Sequence, residues 1–226
     1  MSGKRDSGKD FVYGRRPVTE AQRGRRRVRR VWTTDDLPPG ELSRMAGSPD
    51  HQGIVAEVDP YPYADAARLL RGPDALVVAL DEVQDPQNLG AICRTAECAG
   101  AAGVVICERR AVQVTAAVVK ASAGAVEHLP VARVRNLTDF LVAARDAGAW
   151  SYGAAVSDAA VPYTEPDYRG PVVLVLGAEG KGLRPRVAGA CDALVALPLH
   201  GRVASLNVSA AAAALLYGIL QRRHSA

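Results

Sequence analysis

Sulfur and aromatic side chains are scarce in this 226-residue chain, which has four Cys, two Met, two Trp and two Phe, with aromatics at 5%. Cys93, Cys98, Cys107 and Cys191 form no C-x-x-C pair, and no His-x-x-x-His lies near them. A zinc site or a disulfide framework is therefore not expected, and the thiols read as buried and reduced. Long apolar runs are also missing. The longest, Val208 to Leu220, falls short of the ~18–20 residues that span a bilayer. Met1 to Asp10 is polar and charged with no apolar centre, so no secretory signal is read. The two absences together point to the cytoplasm. No G-x-G-x-x-G follows the first strand of the larger region, which disfavours a dinucleotide fold. Gly177 to Gly182 lacks phosphate-loop spacing because Lys181 is followed by Gly182, which disfavours an NTPase.

What is present is the composition of a soluble globular protein, 48% hydrophobic and 23% charged, long enough for one or two domains. The net charge of +4 is unevenly spread. Residues 1–30 hold eleven Lys or Arg against three acids, a net of +8, which leaves −4 for the rest. Such asymmetry suggests a polyanionic partner. Arg23, Arg25, Arg26, Arg27, Arg29 and Arg30 are the expected nucleic-acid contacts.

The chain divides by texture. Residues 1–10 read as a flexible basic arm and 11–58 as a small unit with a short helix, a β-like run at Val28, Val31 and Trp32, a turn at Pro38-Pro39-Gly40 and a strand over 51–58. Residues 59–72, opening Asp59-Pro60-Tyr61-Pro62-Tyr63, read as a linker. From residue 73, β-branched runs alternate with Ala-rich segments. Strands are expected at 75–80, 103–107, 129–134, 150–156, 172–176 and 193–197, with helices near 89–99, 115–123, 137–147, 183–190 and 205–221. Continuous apolar strands with helices between them imply an α/β domain with a mostly parallel sheet covered on both faces.

Three polar, Gly-marked stretches follow strands. Asp85-Pro86-Gln87-Asn88-Leu89-Gly90 places Asn88 at a helix N-terminus, where it could cap, and Arg94 six residues on in a weakly charged segment. An isolated Arg there usually meets a carboxylate or a phosphate. Leu176-Gly177-Ala178-Glu179-Gly180-Lys181-Gly182-Leu183 surrounds one carboxylate with three glycines, which permit close backbone approach to a ligand. Leu197-Pro198 through Ser205-Leu206-Asn207-Val208-Ser209 opens an Ala-rich helix with more polar groups than capping needs.

In this order the three stretches resemble the SpoU/TrmH family of RNA 2′-O-ribose methyltransferases, within the SPOUT superfamily, over about residues 73–226. Tyr13-Gly14 with Pro17-Val18, and His51-Gln52-Gly53-Ile54, also resemble the RNA substrate-binding domain that precedes the family's catalytic domain, here shortened. The resemblance implies a trefoil knot in the sheet, a homodimer, and S-adenosylmethionine held by Gly177, Leu197 and Leu206. It implies a catalytic group of Asn88, Arg94, Glu179, Ser205 and Asn207. A guanidinium gives up its proton only above about pH 12, so Arg94 is expected to stabilise an alkoxide rather than act as a base. The preceding small domain favours 23S ribosomal RNA as substrate. Transfer RNA and a catalytically idle RNA-binding or assembly protein of the same fold are the alternatives.

Overall fold

The computed structural model describes residues 9–225. The arm expected over 1–10 lies outside the described residues up to residue 8. Lys9 pairs with Glu57 at 3.4 Å, and Asp10 already belongs to a strand.

The N-terminal unit runs β1 (Asp10–Tyr13), α1 (Arg15–Arg23), β2 (Val28–Thr33), α2 (Pro39–Ala46) and β3 (Ile54–Val58). Its antiparallel sheet has the order β1-β3-β2. Pro38-Pro39-Gly40, expected as a turn, starts α2 instead. Pro39 sits in the first turn, where a missing N–H costs nothing, and Gly47 closes the helix at φ 64°.

The segment expected as a linker is packed. Tyr61 is buried, and its hydroxyl is 3.0 Å from the carbonyl oxygens of both Val126 and Leu129. Ala64 N–H donates to Val131 O at 2.8 Å, and α3 (Ala66–Leu69) follows, capped by Asp65. Val12, Val18, Ala56 and Val58 of the small unit share one apolar cluster with Val118 and Val126 of the larger region. A unit of under fifty residues has too little core of its own, and this shared cluster supplies the rest.

The larger region continues β4 (Leu76–Asp81), α4 (Pro86–Cys98), β5 (Gly103–Cys107), α5 (Ala116–Ala121), β6 (Val131–Val134), α6 (Leu137–Asp146), β7 (Trp150–Ala154), β8 (Val161–Pro162), β9 (Val172–Gly177), α7 (Pro185–Ala188), β10 (Ala193–Ala196) and α8 (Val208–Ser225). Seven strands form one parallel sheet in the order β6-β5-β4-β9-β7-β10-β8. β5, and β4 up to its last residue Asp81, are apolar; both strands are buried throughout, and separate apolar clusters form around the sheet. The two-residue edge strand β8 carries too little pattern to be read from sequence.

Two expected helices are shorter than their composition suggests. The helix near 183–190 is only α7, because Pro185 cannot donate and so starts it. The last helix starts at Val208 rather than 205, because Asn207 caps it. No helix among the described residues is long and apolar enough to cross a membrane.

Candidate active site

From β4 the chain steps outward to β5 and β6, whereas β9 returns on the other side of β4. Strand order therefore reverses at β4/β9, and the loops after these strands flank one crevice, the usual ligand position in an open parallel sheet. All three motif stretches end there.

The first loop leads into α4. Asp85, not Asn88, is the cap: its carboxylate accepts from Gln87 N–H at 3.0 Å. Asn88 is thereby left in the first helical turn with its side chain free for other partners. The second loop leaves β9 at Gly177, bridges Ala178 back to Gly182, and takes positive φ at Gly180 (75°) and Gly182 (65°). A Cβ on Gly177 would lie 2.1 Å from the Gly182 carbonyl carbon, so only glycine permits this fold-back. The turn presents Glu179. The third loop ends on Asn207, whose Oδ1 accepts from Ser209 N–H at 2.8 Å and Ser209 O–H at 2.6 Å.

A relay of side chains joins the loops. Asn207 donates through Nδ2 to Asn88 Oδ1 at 3.0 Å, and Asn88 donates through its own Nδ2 to Glu179 Oε2 at 3.1 Å. Asn88 is buried, while Glu179 and Asn207 face solvent. The buried amide thus has a partner at each end, as a polar group in that position requires.

Beside the relay lies a pocket of about 420 Å³. Gly177, Leu197, Ser205 and Leu206 all line it, together with Glu179 and Lys181. Its volume and largely Ala, Val and Leu wall suit a small organic ligand. Ser205 is exposed and lies in coil, before the helix it was expected to open.

Arg94 stands apart. It does not line the pocket, it is exposed on α4, and its side chain makes no ion pair or hydrogen bond among the described residues. At ~100° per residue, six positions turn it about 120° around α4 from Asn88.

The arginine run also differs from expectation. Arg26 is buried and its guanidinium holds the buried Glu127, with Nε donating to Oε2 at 2.9 Å. Arg25 donates to the Tyr61 hydroxyl and Leu129 O, both at 2.9 Å, and Arg29 pairs with Asp59 at 2.5 Å. These three are engaged in the protein's own structure. The buried Glu127 demands a cation, and the run supplies it. Arg23, Arg27 and Arg30 remain exposed, with Arg23 3.7 Å from Glu20 and Arg30 over the Trp32 ring.

Sequence reasoning missed Asp81, Glu82 and Arg184. Asp81 ends β4 fully buried, and its carboxylate accepts from Arg184 N–H and Nε at 2.8 Å. Hydrogen bonding to Asp81 pushes the Arg184 guanidinium upward, overriding burial. The signal was a carboxylate closing an apolar strand, which cannot be buried unpaired. Glu82 takes φ 58°, strained for a residue with a side chain, at the mouth of the same crevice. No cluster of His, Cys, Asp or Glu among the described residues could hold a metal ion.

A pocket at the C-terminal ends of β7, β9 and β10, walled in part by a glycine loop and bordered by a carboxylate–amide relay, defines an α/β enzyme with a small-molecule site. Residues 75–217 match the SpoU rRNA Methylase family, and the chain belongs to that SpoU/TrmH family of methyltransferases. It is 37% identical to YacO of Bacillus subtilis, named for the TrmH family of tRNA/rRNA methyltransferases, over 95% of this chain and 96% of that protein. It is similar to the SpoU methyltransferase AviRb of Streptomyces viridochromogenes in complex with AdoMet, at TM-score 0.81 and 27% identity over 99% and 95% of the two chains. A further solved structure, an RNA 2′-O ribose methyltransferase, is similar at TM-score 0.77 and 25% identity over 96% and 89%.

Proposed function

We propose that this protein transfers a methyl group from S-adenosylmethionine to a ribose 2′-hydroxyl of RNA, with 23S ribosomal RNA as substrate, as a homodimer built on a trefoil-knotted sheet. The observation that carries this reading is the relay Glu179–Asn88–Asn207, which joins three loops distant in sequence beside one pocket. AviRb binding AdoMet, and the 2′-O ribose activity named for another similar structure, support the same chemistry.

The residues present fit the donor. The fold-back at Gly177 leaves the wall next to β9 as bare backbone, and apolar side chains close the rest. Gly177, Leu197 and Leu206 would hold the donor. When bound, it supplies a methyl carbon already activated by a sulfonium. The chain's own task is then to place an oxygen in line and to ease the loss of its proton, and positioning of this kind can supply several kcal/mol. Asn88 and Asn207 fix the Glu179 carboxylate through Oε2, which leaves Oε1 for a ribose hydroxyl. Ser205 offers a hydroxyl at the pocket wall. Arg94 neutralises the alkoxide as it forms and holds the adjacent phosphate. Arg94 does not line the pocket of its own chain, and in this reading a second copy of the homodimer brings it to the site. Arg23, Arg27 and Arg30 are the members of the basic run left to meet RNA.

Tritium-methyl transfer to unmodified ribosomal RNA, with transfer RNA in parallel, tests the reading. Transfer to a 23S ribose 2′-oxygen is expected. Transfer to transfer RNA alone would overturn the substrate, and donor binding with no transfer to any RNA would leave only an idle RNA-binding protein. Arg94→Ala with normal donor binding and unchanged turnover would remove Arg94 from the chemistry.

A further inference from the structure

A second and larger cavity, of about 940 Å³, opens along the C-terminal edge of the sheet outside the motif loops. Five guanidinium groups line it: Arg109 and Arg110 after β5, Arg135 after β6, and Arg184 and Arg186 at α7. Only two carboxylates, Glu82 and Asp139, face them there. Arg184 is fixed by Asp81 and lies 3.2 Å from Glu82, and Arg110 lies 3.6 Å from Glu82. Arg109, Arg135 and Arg186 are exposed, and their side chains make no ion pair or hydrogen bond among the described residues. Three unneutralised cations held in one groove repel each other, and the fold gains nothing from them unless an anion enters.

The groove meets the proposed methyl-transfer site at Glu82. Glu82 also borders a small cavity of about 210 Å³ that contains Asn88, Glu179 and Lys181. That cavity shares Ala178, Glu179, Lys181 and Val208 with the motif pocket. The three cavities thus follow one another across the ends of β9, β4, β5 and β6. Asn136 and Thr138 also line the groove, with Asn136 Oδ1 capping α6 by accepting from Thr138 N–H at 3.0 Å.

We infer that this groove is the track for the phosphodiester backbone of the RNA strand whose ribose enters the pocket. The inference rests on the RNA methyltransferase reading and extends it. A row of separate guanidinium forks matches a repeating phosphate rather than a single small anion, and Arg is the side chain whose geometry suits phosphate oxygens. Arg184 is held by Asp81 and Arg110 lies near Glu82, which leaves the three free side chains to take phosphates. The long-range charge on the small unit does not substitute for this row, because half of its arginine run is engaged internally.

The test is a triple variant, Arg109→Gln, Arg135→Gln and Arg186→Gln, with binding to unmodified ribosomal RNA measured between 50 and 200 mM salt. Single-stranded contacts contribute ~0.7 to the salt slope per phosphate, so three lost contacts lower it by about 2. Affinity at the low-salt end falls more than tenfold, while calorimetric donor affinity, as a report of folding, stays at the wild-type value. Arg71→Gln with Arg222→Gln removes two exposed cations elsewhere and leaves the slope within about 0.5 of wild type. An unchanged slope in the triple variant overturns the groove, as does an equal loss in the control. The outcomes separate from those of the parent reading. A wild-type protein that transfers no methyl group but loses its slope with the triple variant defeats the methyltransferase reading and keeps the groove. An active enzyme with an unchanged triple-variant slope does the reverse.

Discussion

Asn207 reaches across 119 residues of chain to donate to Asn88 at 3.0 Å, while its own Oδ1 caps α8. One amide thus starts the last helix and fastens it to the first motif loop, so helix stability and site geometry are separable at this residue. Asn207→Asp keeps the cap, since Asp and Asn cap about equally well, but removes the donor to Asn88. Thermal stability should stay within about 0.5 kcal/mol of wild type while methyl transfer falls at least about tenfold. Asn207→Ala loses both and should cost about 1 kcal/mol as well. Denaturant unfolding beside a turnover assay separates the two effects.

Gly177→Ala should leave the fold assembled and weaken donor binding by more than tenfold. The new Cβ meets the backbone of Gly182, which has no flexible end to move aside, so the loop carrying Glu179 must shift. Calorimetric titration with S-adenosylmethionine reads the loss, and far-ultraviolet circular dichroism checks the fold.

Gly90→Ala reverses the usual sign of a helical substitution. In an open helix it would gain about 1 kcal/mol. Here the added carbon lies 2.4 Å from Ala121 Cβ and 2.9 Å from Ser122 N, where α4 and α5 touch. Overpacking of this kind costs about 1–3 kcal/mol, so a net loss is expected in urea unfolding. An increase in stability would show that the helices part easily.

Arg26→Ala should destabilise the protein by about 3–5 kcal/mol, because it strands the buried Glu127 without its cation. Arg27→Ala, at an exposed neighbouring position, should change stability by less than about 0.5 kcal/mol. Equal effects in thermal unfolding would contradict the internal role of Arg26.

Acid stability should depend on Asp192. Burial raises its carboxyl, but hydrogen bonds from Ser151 and the Arg145 guanidinium outweigh that and hold it below the usual 3.8. A folded-state value below the unfolded one adds stability that is present above about pH 4 and disappears as pH falls through the depressed value. The melting-temperature gap between wild type and Asp192→Asn should therefore be open at pH 5–7 and narrow below about pH 4. A gap that does not vary with pH would place the effect in packing alone.

Much of the architecture is legible in the order of residues. β5 coincides with the run expected for it, and β4 and β9 each overrun theirs by one residue, Asp81 and Gly177, because a strand covered on both faces is apolar along its length and only its end can carry another residue type. Element ends were harder to read. Pro39 and Pro185 each begin a helix, and Asp85 rather than Asn88 caps α4, because several nearby residues could serve and only the three-dimensional path selects one.

The sequence by itself determined the alternation of strands and helices, the glycines of the fold-back and the polar types of the three loops, since these follow from local sterics and periodicity. The tertiary structure alone decided which polar groups meet. It joined Asn88 to both Glu179 and Asn207, left Arg94 exposed and outside the pocket lining, drew Arg26 inward to Glu127 and gathered Arg109, Arg135 and Arg186 into one groove. The reason is that charge and hydrogen-bond partners are chosen by proximity in space. Residues 91 and 119 positions apart become neighbours only when the parallel sheet brings the ends of its strands to a common edge.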